Sequence, residues 1–351
     1  MATVEWTINR LSAINELPDG WFDLPITRLI VNCGYDTTTG WKDLLERLSH
    51  LTSLAVHNGG DVDVIFEFLA TSNQIREFQI ANEFMDMTES NQINLTKWLL
   101  NQPVRVFECS SGDWYNRDDA IYRAMFNCST LDRLMLSSWD LSNVDFTHLK
   151  FEMQTLELHN SFWDSNLLKS LASRLEGSKV IHLQLHGNLD DTNFAGIESL
   201  LRFLPQTRIK SLELTSLSLS DANWCKFAHR IEKCTLDKLL LRVLNWSSTV
   251  AGNLANAIRN NQTICEFDLD SSNLSIHDLR LLIESMAHSN RSVRRKRGKI
   301  ISSVWRLMTG STAKSLKEFA ANCGCTFVHK CNHKKVLDAE MLFILEEDDI
   351  V

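Results

Sequence analysis

Apolar residues in this chain fall into a recurring figure, apolar-x-x-apolar-x-apolar, followed by a stretch with helical spacing. At residues 209–231 it reads Ile209, Leu212 and Leu214, continues through Leu217 and Leu219, and then passes Ser220 and Asp221 into Trp224, Phe227 and Ile231. The first part predicts a short strand and an inward-turning loop, because strand side chains alternate with period two. The second part has the i, i+3, i+7 spacing of a helix with one buried face. Ser220 or Asp221 stands where an N-cap is expected, since a short oxygen-bearing side chain there accepts a bond from a free amide of the first turn. One strand-loop-helix unit cannot bury its apolar side alone, so stacked copies are expected.

Copies are present. The strand figure recurs at Ile26/Leu29/Val31, Leu51/Leu54/Val56, Ile75/Phe78/Ile80, Val104/Phe107/Cys109 and Leu131/Leu134/Leu136. It continues at Met153/Leu156/Leu158, Val180/Leu183/Leu185, Ile209/Leu212/Leu214, Leu236/Leu239/Leu241 and Ile264/Phe267/Leu269. Successive units start 22 to 29 residues apart, and the longer steps leave room for a helix of about three turns. The shortest step, Leu131 to Met153, leaves room only for a short helical turn within 144–149. Five residues after the last strand apolar come Met85, Trp114, Leu141, Trp163, Leu219, Trp246 and Leu274, a position expected to fold back into the core. Leu189 takes that role where Asp190 stands. Helical faces fill the gaps, as in Leu167, Leu168, Leu171 and Leu175, or Phe194, Ile197, Leu200, Leu201 and Leu204 ahead of Pro205.

The ends depart from the figure. Trp6, Ile8, Leu11 and Ile14 keep rough helical spacing, and Leu17-Pro18-Asp19-Gly20 predicts a turn, so residues 1–25 are expected to cap the stack. After residue 290 the register fails, because the next strand apolars would fall on Arg295 and Arg297. Residues 291–351 are therefore expected to form a basic loop and a C-terminal helical cap. Within that cap, 300–308 and 315–323 predict helices, 326–329 a last strand and 336–345 a closing helix before an acidic tail at 346–349.

With about ten units over residues 26–290, the chain resembles the leucine-rich repeat family, in its ribonuclease-inhibitor-like subclass. The resemblance implies an α/β horseshoe solenoid, with a curved parallel sheet on the concave face, helices on the convex face and a role in binding other proteins. The family's Asn three residues after the last strand Leu is met only by Asn188; Gly112, Trp139, Ser161, Leu217 and Leu244 stand at the equivalent places. Some leucine-rich repeat proteins of similar build activate the small GTPase Ran, which makes a GTPase-activating protein the alternative reading. Such activators carry a long acidic tail and a catalytic Arg, whereas here the tail is short and no Arg is marked out for that role.

Composition narrows the function classes. With 44% hydrophobic and 23% charged residues, and only 13 Gly and 4 Pro, a continuous globular core is expected. A formal charge of -8 makes the chain a poor general binder of phosphate backbones, so no nucleic acid is expected as partner. The opening MATVEWTINRLSAINELPDGW lacks a basic start before an apolar core, so no signal peptide is expected, and no apolar run is long enough for a membrane span. Nine Cys, odd in number and mostly at strand or helix positions, fit a reducing compartment, so a cytoplasmic location is expected. The basic run Arg294-Arg295-Lys296-Arg297 is a nuclear import signal, a patch for an acidic partner or a solvated loop. Glycosylation tripeptides at Asn94, Asn127, Asn245, Asn261, Asn273 and Asn290 would not meet the modifying machinery there.

Motifs with defined chemistry are missing: there is no Gly-x-Ser-x-Gly elbow, no His-Glu-x-x-His and no phosphate-binding loop, so a non-catalytic protein without cofactor is expected. Cys323, Cys325, His329, Cys331 and His333 offer zinc-ligand types, but their spacings of mostly one or three do not match structural zinc sites, and no metal is expected. The candidate binding surface comes from the middle strand position, which points away from the core. Along the chain it reads Ile30, Ala55, Gln79, Glu108, Met135, Glu157, Gln184, Glu213, Leu240 and Asp268. Glu108, Glu157, Gln184, Glu213 and Asp268, bordered by His159, His186 and Asp270, predict an acidic stripe for a protein partner with a basic surface.

Overall fold

The computed structural model describes residues 4–11, 20, 22–33, 40–58, 61–82, 87–114, 119–142, 144–159, 162–271, 273–288, 299–303 and 310–330, and the chain divides into two compact units, 1–213 and 214–351. The first unit runs β1 (Glu5–Leu11), β2 (Arg28–Cys33), α1 (Trp41–Arg47), β3 (Ser53–His57), α2 (Val62–Thr71), β4 (Glu77–Asn82), α3 (Glu89–Asn101), β5 (Val106–Trp114), α4 (Asp119–Phe126) and β6 (Arg133–Trp139). A 3-10 turn at Phe146–His148 precedes β7 (Thr155–His159), α5 (Ser165–Leu175), β8 (His182–His186), the two-residue β9 (Leu189–Asp190) and α6 (Phe194–Phe203). Strand β10 (Ser211–Ser218) runs through the division. The second unit continues with α7 (Asp221–Lys233), β11 (Lys238–Val243), α8 (Ser248–Asn260), β12 (Glu266–Ser271), α9 (Ile276–Met286), β13 (Lys299–Ser303), α10 (Gly310–Asn322) and β14 (Thr326–Lys330).

Each unit is built of alternating strand and helix repeats on a parallel sheet. From β1 to β8 every strand pairs with the next in chain order, which sets Leu29, Leu54, Phe78, Phe107, Leu134, Leu156 and Leu183 side by side. In the second unit Leu239, Phe267, Ile300 and Phe327 share one register position across β11 to β14. One carbonyl ahead of each strand accepts two amides of the next repeat, as Asp132 O does from Gln154 and Thr155, and Gln154 O does from Ile181 and His182. These bonds join repeat to repeat without using the outward side chains, which are left free to vary.

Every apolar residue assigned to the ten strand figures is buried. So are the loop residues Leu141, Trp163, Leu189, Leu219 and Trp246, whereas Leu274 is only half-buried. Trp163 Nε1 donates to His186 O at 3.0 Å and Trp246 Nε1 to Asp278 Oδ2 at 3.0 Å, so these tryptophans are core residues whose one polar atom is satisfied. Helix starts are capped by Asp61, Thr88, Asp164, Ser247 and Ser275, each accepting from an amide of its first turn; Ser220 stands at the N-cap of α7 but its side chain makes no capping bond. Helices α5 and α6 approach closely because position 196 is Gly: a Cβ there would lie 2.6 Å from that of Leu168.

The 22-residue step has the short helical turn predicted for it, and three phenylalanines fill the space a helix would occupy. Phe126, Phe146 and Phe151 are fully buried, with ring centroids 4.8 to 5.8 Å apart. Two end expectations are corrected. Residues 5–11 form a strand, not a helix, pairing Trp6 with Leu29 and Ile8 with Val31; the two-residue step from Trp6 to Ile8 is the operative period. Residues 299–303 likewise form β13 rather than the start of a helix, pairing Ile300 with Phe267, so the strand repeat does not stop at residue 290. The predicted helix at 315–323 and strand at 326–329 are found as α10 and β14. The turn at 17–19, most of the basic loop, the closing helix at 336–345 and the acidic tail lie outside the described residues.

Candidate functional site

Helices cover one face of the sheet, so the outward strand positions form the other, open face. In the first unit this face is read in three rows, because residues two apart on a strand share a side and register partners sit about 4.8 Å apart across strands. The middle row places Glu108 beside Met135, Met135 beside Glu157 and Glu157 beside Gln184. One step earlier lie Val106, Arg133, Thr155 and His182. One step later lie Ser110, Ser137, His159 and His186.

Arg133 is the residue that the middle row alone does not reveal. Its Nε lies 3.1 Å from Glu108 Oε1 and its Nη2 3.0 Å from Glu157 Oε1, so one guanidinium is held between two carboxylates from neighbouring strands. The two glutamates are mostly buried, with side chains 13% and 14% exposed, so water screens the pairing less than it does an ordinary surface bridge. Burial pushes the Glu157 carboxyl above the usual carboxylate range; Arg133 opposes the rise and Glu108 adds to it. The row therefore does not simply repel itself. A signal for this was present in the sequence: Arg133 is the outward residue just before Leu134, flanked on both sides by strands with an outward Glu.

Beyond Glu157 the face changes character. Thr155, Glu157, His182, Gln184, Ser211 and Glu213 line a depression of about 70 Å³ spanning three strands. The rings of His159 and His186 lie alongside each other, 5.1 Å between centroids and 37° apart. Of the sequence-predicted residues, Glu108, Glu157, His159, Gln184, His186 and Glu213 thus lie on this one open face.

Asp268 and Asp270 belong to the second unit and differ from expectation. They are only 4% and 7% exposed, so they do not present solvent-facing carboxylates. In register, Asp268 lies between Leu240 on β11 and Ile301 on β13. Half-buried Lys238 and Glu266 form an ion pair there at 2.8 Å, and Arg242, the register partner of Asp270, is exposed. Of the Cys and His cluster near the C-terminus, Cys325 is buried and Cys323 half-buried, with its thiol pushed up by burial and by Glu284. Cys331 and His333, like the basic run Arg294-Arg295-Lys296-Arg297, lie outside the described residues. Among the described residues, no group of three or more His, Cys, Asp or Glu is placed to hold a metal ion, and no helix is long and apolar enough to cross a membrane.

Two further sets of residues escaped the sequence reading. Asn58, Ser138, Gly187 and Ser216 all have positive φ, of 61°, 61°, 142° and 60°, and each stands two residues after the last strand apolar. Asn and Ser tolerate this region better than bulky residues do, and Gly does so without cost. The other set is buried asparagine. Asn193 Nδ2 donates to Trp163 O and Asn188 O, and Asn261 joins two repeats by donating to Ile231 O and Cys234 O while accepting from Thr263 and Ile264 amides. Comparison with protein-family models and with curated proteins finds no match for the chain.

Proposed function

We propose that this chain is a leucine-rich repeat solenoid of the ribonuclease-inhibitor-like type that binds a partner protein on its concave sheet face and carries out no chemistry itself. The observation that supports this most is the open face from Glu108 to Glu213. Its charged groups are set at fixed register positions on a rigid sheet, and Arg133 holds two of its carboxylates in place. Such preorganisation favours recognition, because the face has less side-chain freedom to lose on binding. The balance of the face, three glutamates against one arginine, favours a partner with a basic surface, with complementary charge speeding encounter and selecting among partners.

An intracellular setting has its own support. Asn261 belongs to an Asn-Gln-Thr tripeptide yet is fully buried, its amide nitrogen 2.8 Å from Ile231 O and 3.0 Å from Cys234 O. A sugar attached there while the chain was still unfolded would remove those bonds and could not fit in the core.

The experiment compares proteins retained from native lysate by the wild-type chain with those retained by a Glu157→Lys, Glu213→Lys variant of unchanged unfolding midpoint. A partner held by the first, released by the second and weakened by salt supports the reading. A partner retained equally by both places the binding surface elsewhere.

A further inference from the structure

We propose that Arg133 forms a platform on which an aromatic side chain of the partner stacks. This rests on the reading of the open face as the binding surface and names the uncharged anchor by which a basic partner is held there. Glu108 and Glu157 flank Met135 in register, so the guanidinium that reaches both passes across the position of Met135. The two carboxylates fix it from the sides: they are 13% and 14% exposed, whereas the Arg133 side chain is 44% exposed. Its Nε atom is out of reach of water, so the exposure belongs to the outer part of the guanidinium. Val106, Met135 and Thr155, its neighbours on this face, are half-buried and carry no charge.

The charges at this point select a neutral ring. A lysine or arginine of the partner would meet the charge of Arg133, and an acidic side chain would meet the two glutamates held against it. An aromatic ring adds no charge, turns its negative face to the cation and, being planar, matches a planar guanidinium. The same ring would cover Val106 and Met135, whose thioether packs favourably against aromatics. Because its two carboxylates already hold Arg133, little freedom is lost when the ring settles on it. Arginine with an aromatic partner is also the kind of pair that dominates interface energies.

The test uses the full-length chain with methyl-labelled methionine, Met135→Leu assigning the Met135 signal, and two capped tripeptide probes, Lys-Trp-Lys and Lys-Leu-Lys. At fixed salt Lys-Trp-Lys should move the Met135 methyl upfield by its ring current, saturably, and bind about fivefold more tightly than Lys-Leu-Lys. Arg133→Lys keeps the charge but not the plane, and should bring that preference within about twofold. Arg105→Lys, at an exposed pair with Asp132 outside the three rows, should leave the preference unchanged. The proposal is overturned if the two peptides bind equally, if the Met135 methyl does not move upfield, or if Arg133→Lys leaves the preference intact. A partner released by the Glu157→Lys, Glu213→Lys variant but retained by Arg133→Lys would sink the platform and keep the face. A tryptophan preference lost in Arg133→Lys, with a partner unaffected by the charge-reversed variant, would do the reverse.

Discussion

The joint at the shortest repeat can be tested at Phe151, where two effects of known sign compete. Phe151 is fully buried against Phe126 and Phe146, at centroid separations of 4.8 and 5.7 Å, and its φ of 52° lies in the left-handed region. Removing the ring loses its burial and leaves a cavity, at a cost of about 3–5 kcal/mol for Phe→Ala in a core. Holding any L-residue in the left-handed region costs roughly 1–2 kcal/mol, a penalty that Ala keeps and Gly escapes. Phe151→Ala should therefore lower the urea midpoint strongly. Phe151→Gly should lower it less, by about 1 kcal/mol, although Gly is the smaller side chain and is usually the worse choice inside a fold. The assay is urea unfolding of wild type and both variants, followed by near- and far-ultraviolet circular dichroism. A Phe151→Gly protein no more stable than Phe151→Ala would refute the strain argument. A loss under about 1 kcal/mol in both would show that the three rings do not replace the missing helix.

Two further outcomes are expected. Because burial holds the folded-state value of Glu157 above its unfolded one, the folded chain binds this proton more readily; that contribution is present at low pH and is lost as pH rises from about 4.3, the usual Glu value, through the raised one. Glu157→Gln should accordingly raise the urea midpoint at pH 7 and reduce its pH dependence, and a lowered midpoint at pH 7 would mean that pairing with Arg133 outweighs burial. Chain directed through the secretory route by an added leader should carry a glycan at Asn261 by mass spectrometry and fail to fold, whereas folded secreted protein bearing that glycan would remove the argument for an intracellular setting.

Much of the fold was legible because stacking imposes one rule repeatedly. An inward strand position must be apolar in every repeat, so Leu29, Leu54, Phe78 and their equivalents announce both strand and register, and all are buried. Where a repeat relaxes that rule, the reading failed. In β13, Ser302 takes the place held by Leu269 in β12, and Lys299 pairs with Glu266 from 33 residues earlier, a step longer than the others, so the figure was not recognised. At β1, Leu11 and Ile14 supplied a helical spacing that competed with the true step of two from Trp6 to Ile8. The positive-φ position went unread: the leucine-rich repeat pattern directs attention to the third position after the strand, whereas Asn58, Ser138, Gly187 and Ser216 have positive φ at the second.

The site was less legible for a geometric reason. On a parallel sheet of this kind, residues about one repeat apart in sequence become neighbours, so a charge pattern has meaning only when several outward rows are read together. Reading the middle row alone gives Glu108, Glu157 and Glu213 as equal members of one stripe. Adding the row before it brings in Arg133, which ties up Glu108 and one side of Glu157 but does not line the depression that Glu157 and Glu213 share. The acidic face is therefore asymmetric. Glu108 and Glu157 share Arg133, whereas the depression that Glu157 and Glu213 share is also lined by Thr155, His182, Leu183, Gln184 and Ser211. Net charge does not express that asymmetry, because Glu108, Glu157 and Glu213 occupy the same position of the repeat and differ in what the neighbouring rows set beside them.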